Sequence, residues 1–143
     1  MDSSSVVKLY IPAETGWEQV HSIMDAADPA GSSAITYAEV RSALARARRA
    51  RRIPSTRAYQ RILAEFESDW ASLFKIEASM ELIHRAGDLA ERHALSGADA
   101  IHLASVLASQ QRVPDQVLLS TWDRRLSEAG QQEGLSLAHE VSC

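Results

Sequence analysis

Apolar positions along the chain fall into short runs and longer stretches at helical spacing. From Ser96 to Ser109, Ala98, Ile101, Leu103, Ala104, Val106, Leu107 and Ala108 make the chain apolar nearly all round. That pattern predicts a helix buried against something large. Helical spacing recurs at Trp17, Val20, Ile23 and Met24, and from Thr36 through Val40, Leu44 and Ala47 to a stop before Pro54. It recurs from Ser55 to Trp70, with Tyr59, Ile62, Leu63 and Phe66 inward, and from a Ser79 cap to about His93, with Leu82, Ile83, Ala86, Leu89 and Ala90 inward. A short helix is expected after Asp123, to about Gly130. The short runs Ser33–Ile35, Leu73–Ile76, Val117–Thr121 and Leu135–Ala138 read as strands. Ser3–Tyr10 reads equally as a strand or as the first helix, ended by Pro12. Asp28-Pro29-Ala30-Gly31 and Pro114-Asp115 punctuate. Short strands alternating with longer helices predict an α/β fold with a parallel sheet.

Composition narrows the class. A length of 143 residues suits one domain, residues 1–143, with a real core. Hydrophobic residues at 45% and charged residues at 24% are ordinary globular values. No basic leader and no run of membrane-spanning length is present, so a protein without a membrane segment is expected. The single cysteine, Cys143, excludes an intrachain disulfide and a cysteine zinc cluster, and fits a reducing cytosol. A net charge of -4 argues against indiscriminate nucleic-acid binding but leaves room for a local basic patch.

In open parallel sheets, ligands sit beyond the carboxyl ends of the strands. Four carboxylates fall at such places: Asp2 before the first hydrophobic segment, Glu39 after Ser33–Ile35, Asp99 in the first turn of the buried helix, and Asp123 after Val117–Thr121. Each also has a structural explanation. Thr36-Tyr37-Ala38-Glu39 matches a capping box, Ser96-Gly97-Ala98-Asp99 has similar spacing, and Asp123 is placed to cap its helix. Each such cap is worth about 1 kcal/mol. Capping does not account for all four lying at one end of one sheet. If they converge, their repulsion calls for a divalent cation, and an all-oxygen set suits Mg²⁺ or Mn²⁺ rather than zinc. Such ions support hydrolysis of a phosphodiester. Ser3, Ser4, Ser120 and Thr121 are then available to hold carboxylates or waters, or are simply strand-end hydroxyls.

The blocks Asp2-Ser3-Ser4-Ser5-Val6-Val7-Lys8-Leu9-Tyr10, Ile35-Thr36-Tyr37-Ala38-Glu39-Val40, Gly97-Ala98-Asp99-Ala100-Ile101-His102-Leu103-Ala104 and Leu119-Ser120-Thr121-Trp122-Asp123-Arg124-Arg125-Leu126 occur in this order and span nearly the whole chain. Together they resemble a PIN domain, and most of all the VapC-type toxins of prokaryotic toxin–antitoxin pairs. The resemblance implies a three-layer α/β fold, a central parallel sheet flanked by helices. It implies an endoribonuclease dependent on Mg²⁺ or Mn²⁺, a cytoplasmic homodimer inhibited by a cognate antitoxin, and products with a 5′-phosphate and a 3′-hydroxyl. Asp2, Glu39, Asp99 and Asp123 match the family's acids, and Ser3 and Thr121 its accompanying hydroxyls. The family has several apolar residues before its first acid, forming the central strand, whereas here only Met1 precedes Asp2. A start placed late, a trimmed chain and a domain lacking that strand all remain open. The last two leave a gap in the sheet and Asp2 on a frayed terminus.

Arg41, Arg46, Arg48, Arg49, Arg51 and Arg52 crowd one helix, followed by Arg57 and Arg61. Guanidinium groups pair bidentately with phosphate, so Arg46, Arg49 and Arg52 are candidates for contact with RNA or an acidic partner. A solvated helix face is the structural alternative. His102 reads as a core or dimer-face histidine, the other histidines form no metal spacing, and Trp17, Trp70 and Trp122 read as packing residues, with Trp122 also able to touch a base. Two other functions stay open: a non-catalytic PIN-like module binding RNA or protein, and a housekeeping PIN nuclease without an antitoxin.

Overall fold

A computed structural model describes residues 1–11 and 15–141; Pro12 and Cys143 lie outside them. The helices are α1 (Ser3–Lys8), α2 (Trp17–Ala26), α3 (Thr36–Arg49), α4 (Thr56–Ser72), α5 (Met80–His93), α6 (Gly97–Gln110), α7 (Arg124–Gln132) and α8 (Ala138–Val141). The strands are β1 (Gly31–Ser33), β2 (Phe74–Ile76), β3 (Leu118–Leu119) and β4 (Ser136–Leu137). Ser3–Tyr10 therefore resolves as a helix. The Asp2 side chain accepts from the Ser5 amide and supplies its cap, and Val6 and Tyr10 face the core. β1 begins two residues earlier than the apolar run suggested, because Gly31 already pairs with Phe74. The short helix Ala138–Val141 has no sequence counterpart in the expected strand Leu135–Ala138, of which only Ser136–Leu137 pairs.

The parallel sheet comes in two pairs. β1 lies beside β2, with Ser32 opposite Lys75, and β3 beside β4, with Leu119 opposite Leu137. Met1 and Asp2 bridge the space between them. The Met1 amino group donates to the Gly31 carbonyl at 2.7 Å, and the Asp2 amide donates to the Ser120 carbonyl at 3.0 Å. Met1 and Asp2 are thus tied one to each pair. Asp2 is 3% exposed, so it is not on a frayed end.

Two apolar clusters hold these elements. α6 is the spine of the first, where Leu103 and Leu107 meet Leu82 and Leu89 of α5, Leu119 of β3, Leu126 of α7 and Leu137 of β4. The near-continuous apolar surface of α6 is explained by its contacts with α5, α7 and β1. The second cluster joins Val6 of α1 and Tyr10 just after it, Val40 and Leu44 of α3 and Phe66 of α4. α7 comes so close to β3 that a Cβ on Gly130 would sit 2.6 Å from Leu119 Cδ2. Among the described residues no helix is long and apolar enough to cross a membrane.

Candidate active site

Asp2 and Asp123 belong to one hydrogen-bonded bracket. The Asp2 carboxylate accepts from Thr121 Oγ1 at 2.6 Å, from the Ser5 amide at 2.9 Å and from Ser4 Oγ at 2.8 and 2.9 Å. A buried carboxylate needs such donors, since an unpaired one would be costly to bury. Thr121 Oγ1 also accepts from the Asp123 amide at 3.1 Å, and Ser4 Oγ accepts from the Trp122 amide at 2.9 Å. One hydroxyl therefore links the two acids. Asp123 is half-buried and caps α7, accepting from the Leu126 amide at 2.8 Å.

Glu39 is different. The expected capping box fails, because the cap position of α3 is Ile35 and the Thr36 hydroxyl is taken by Ser32 Oγ at 2.7 Å. The Glu39 side chain turns instead to α6, where its Oε2 lies 2.7 Å from His102 Nε2. His102 and Ser3 hydrogen bonds and the nearby imidazole lower the Glu39 pKa, with the His102 bond the largest effect and partial burial opposing it. An ionised carboxylate only accepts, so His102 donates through Nε2. Its ring is 3% exposed, the buried position expected for it, but its partner across sixty-three residues was not legible in the sequence.

Asp99 precedes His102 by one turn, and positions three apart share a helix face. The Ser96 hydroxyl accepts from the Asp99 amide at 3.2 Å and donates to its carboxylate at 2.6 Å, so the capping explanation holds here. It holds for Asp2 and Asp123 as well, and fails for Glu39. Ser3 serves Glu39, while the hydroxyls on Asp2 come from Ser4 and Thr121.

A cleft of about 340 Å³ opens beside Glu39, lined by Ser3, Ser4, Val7, Ala38, Glu39, Ser42, Ala43 and Arg46, and Asp2, Asp99 and Asp123 are not part of its lining. Arg46 reaches it as an exposed side chain donating to Ser42 Oγ at 2.7 Å, and Arg49 and Arg52 lie exposed further along. Other arginines have structural work: Arg41 pairs with Glu67 at 2.6 Å, and Arg48 binds the Ile53 carbonyl at 3.3 Å. Trp122 packs on Gly16, with the Lys8 ammonium 4.8 Å from its ring centre and His139 beside it, the packing role expected of it.

The oxygen-only donors are right in kind for a hard divalent cation. Among the described residues, no three His, Cys, Asp or Glu side chains are gathered as one metal-binding group. The expected convergence of all four acids is therefore not seen: Thr121 Oγ1 joins the Asp2 carboxylate to the backbone amide of Asp123, and Glu39 meets His102 on the helix bearing Asp99. Mg²⁺ accepts this, because it keeps several waters and commonly takes only one or two carboxylates.

The PIN domain family description matches residues 1–131. The chain is 39% identical over 142 residues to ribonuclease VapC45 of Mycobacterium tuberculosis strain CDC 1551 / Oshkosh, a match covering 96% of this chain and 92% of the relative. The same figures hold for ribonuclease VapC49 of Mycobacterium tuberculosis strain ATCC 25618 / H37Rv. With the acids, the buried helix behind them and the parallel strand pairs all in the order read from the sequence, this chain belongs to the PIN domain family.

Proposed function

We propose that the chain is an endoribonuclease, the toxin of a toxin–antitoxin pair, that cuts single-stranded RNA with the help of Mg²⁺ or Mn²⁺. The observation that carries the proposal is the Glu39 carboxylate, which lies 2.7 Å from His102 Nε2. It has no capping role, it lines the cleft beside Ser3 and Ser4, and it stands in a chain matched by two ribonucleases. Asp2, Glu39, Asp99 and Asp123 are the residues that would hold the cation. Such an ion supplies an activated water and stabilises charge on the leaving oxygen.

The protein's own groups do the rest. Ser4 and Thr121 donate to Asp2 and satisfy its buried oxygens. Ser3 and His102 hydrogen-bond to Glu39 and lower its pKa. Arg46 sits at the cleft rim seven residues beyond Glu39, about 10 Å along α3 at the helical rise. Its proposed role is to take a phosphate next to the one being cut, with Arg49 and Arg52 as further candidates for RNA or partner contact. A working homodimer, a cognate antitoxin and a cytoplasmic setting complete the proposal.

The test is cleavage of a labelled single-stranded RNA by the purified protein. Cutting with Mg²⁺ or Mn²⁺, abolished by EDTA and leaving 5′-phosphates, supports the proposal. Tight RNA binding without cleavage in either metal overturns it in favour of a binding module.

A further inference from the structure

α6 is apolar on nearly every side, and His102 is the ring it buries among Leu103, Ala104 and Val106. A leucine would fill this place with no polar atom to satisfy. What the imidazole adds is one directed N–H, and that N–H ends on Glu39 Oε2 at 2.7 Å. The two residues differ in setting: the His102 side chain is 3% exposed and that of Glu39 is 32% exposed. A buried donor thus holds a partly exposed acceptor at the wall of the cleft. Ser3 holds the same carboxylate from α1, so Glu39 is gripped from two elements.

We infer that His102 is a positioning residue for Glu39, fixing the direction of its carboxylate in the cleft so that an oxygen is presented to a bound divalent cation. This rests on the metal-dependent reading above. Partners that orient a ligating carboxylate in this way typically alter metal affinity or activity by about 10–100-fold when removed. A purely structural His102 behaves differently. Replacing it with an apolar residue of similar size would leave metal affinity unchanged, and in this apolar setting would be neutral or mildly stabilising.

The experiment is calorimetric titration of Mn²⁺ into the full chain and into His102→Leu, His102→Gln, Glu39→Gln and His102→Leu/Glu39→Gln, each checked by circular dichroism and thermal melting. The expected result is affinity about 10-fold or more weaker in folded His102→Leu. Partial recovery is expected in His102→Gln, whose amide can still donate, with no further loss when His102→Leu is added to Glu39→Gln. On a short RNA, His102→Leu should lower kcat with KM little changed. Parent-like Mn²⁺ affinity in both His102 variants, with Glu39→Gln impaired, overturns the positioning role and leaves the metal site standing. Should His102→Leu fail to fold, a folded His102→Gln decides: Mn²⁺ affinity weaker than the parent's supports the role, and parent-like affinity refutes it. A folded parent that binds no Mn²⁺ overturns both the metal-dependent reading and the inference built on it.

Discussion

Two histidine–glutamate pairs in this molecule share one geometry and differ in almost everything around it. In both, Nε2 and a carboxylate oxygen are 2.7 Å apart. In both, the ring is buried, 3% exposed at His102 and 6% at His93, and the acid is partly open, 32% at Glu39 and 20% at Glu133. In both, the imidazole hydrogen bond is the largest cause of a lowered carboxylate pKa. Yet Glu133 also takes the Arg92 guanidinium at 2.9 Å, and His93 meets Gln132 at 3.2 Å, so that pair closes a seam between the ends of α5 and α7. Glu39 lines a cleft, with Ser3 as its second donor and a helix carrying Asp99 behind it. A buried His–Glu pair is therefore no signature of a site by itself. The charge it leaves uncompensated, and the space that charge faces, make the difference.

Substitutions that separate the two settings should differ greatly in size. Asp99→Asn keeps the shape of the side chain and should leave melting within a few degrees of the parent. It should still cut RNA cleavage on the order of 100-fold, the scale of losing one preorganised electrostatic group. Asp2→Asn should lower both activity and stability, because an amide nitrogen cannot accept from Ser4, Ser5 or Thr121. Urea unfolding is expected to show a loss of about 1–3 kcal/mol. Thr121→Val removes the hydroxyl that joins Asp2 to Asp123 and should cost about 1 kcal/mol or somewhat more by the same measurement.

The smallest effect belongs to Glu133→Gln, about 0.5 kcal/mol at pH 7. Its pH dependence has a definite sign. The folded-state pKa of Glu133 is lowered, so its contribution is present above the unfolded value of about 4.3 and disappears as pH falls through the folded value. Parent and variant should therefore differ in unfolding free energy at neutral pH and converge in acid, near or below about pH 4.

The sequence carried the parts of this account that depend on periodicity and local spacing. The apolar run through Leu103 and Leu107 marked α6 as the spine, and the four acids were visible as the carboxylates nearest to strand ends. Local chemistry also made Ser96 and Asp123 readable as caps, whereas the Asp2 cap emerged only once Ser3–Lys8 proved helical. Strand ends were less legible because strands of two or three residues have too little pattern: Gly31 pairs although it has no side chain, and Ala138 starts a helix although it continues an apolar run. Thr36-Tyr37-Ala38-Glu39 misled, since capping spacing is local while the actual partners, Ser32 and His102, come from β1 and α6. The same holds for Ser3 and Ser4, neighbours in sequence that serve different acids because consecutive helical positions point in different directions.

The most direct measurement is a matched pair of substitutions, Glu39→Gln and Glu133→Gln, each assayed for RNA cleavage with Mg²⁺ and for thermal stability. The account predicts that Glu39→Gln loses cleavage on the order of 100-fold while staying folded, and that Glu133→Gln cuts RNA within about 2-fold of the parent while melting slightly earlier. Equal cleavage by the two variants, or a folded Glu39→Gln protein that cuts like the parent, would contradict it.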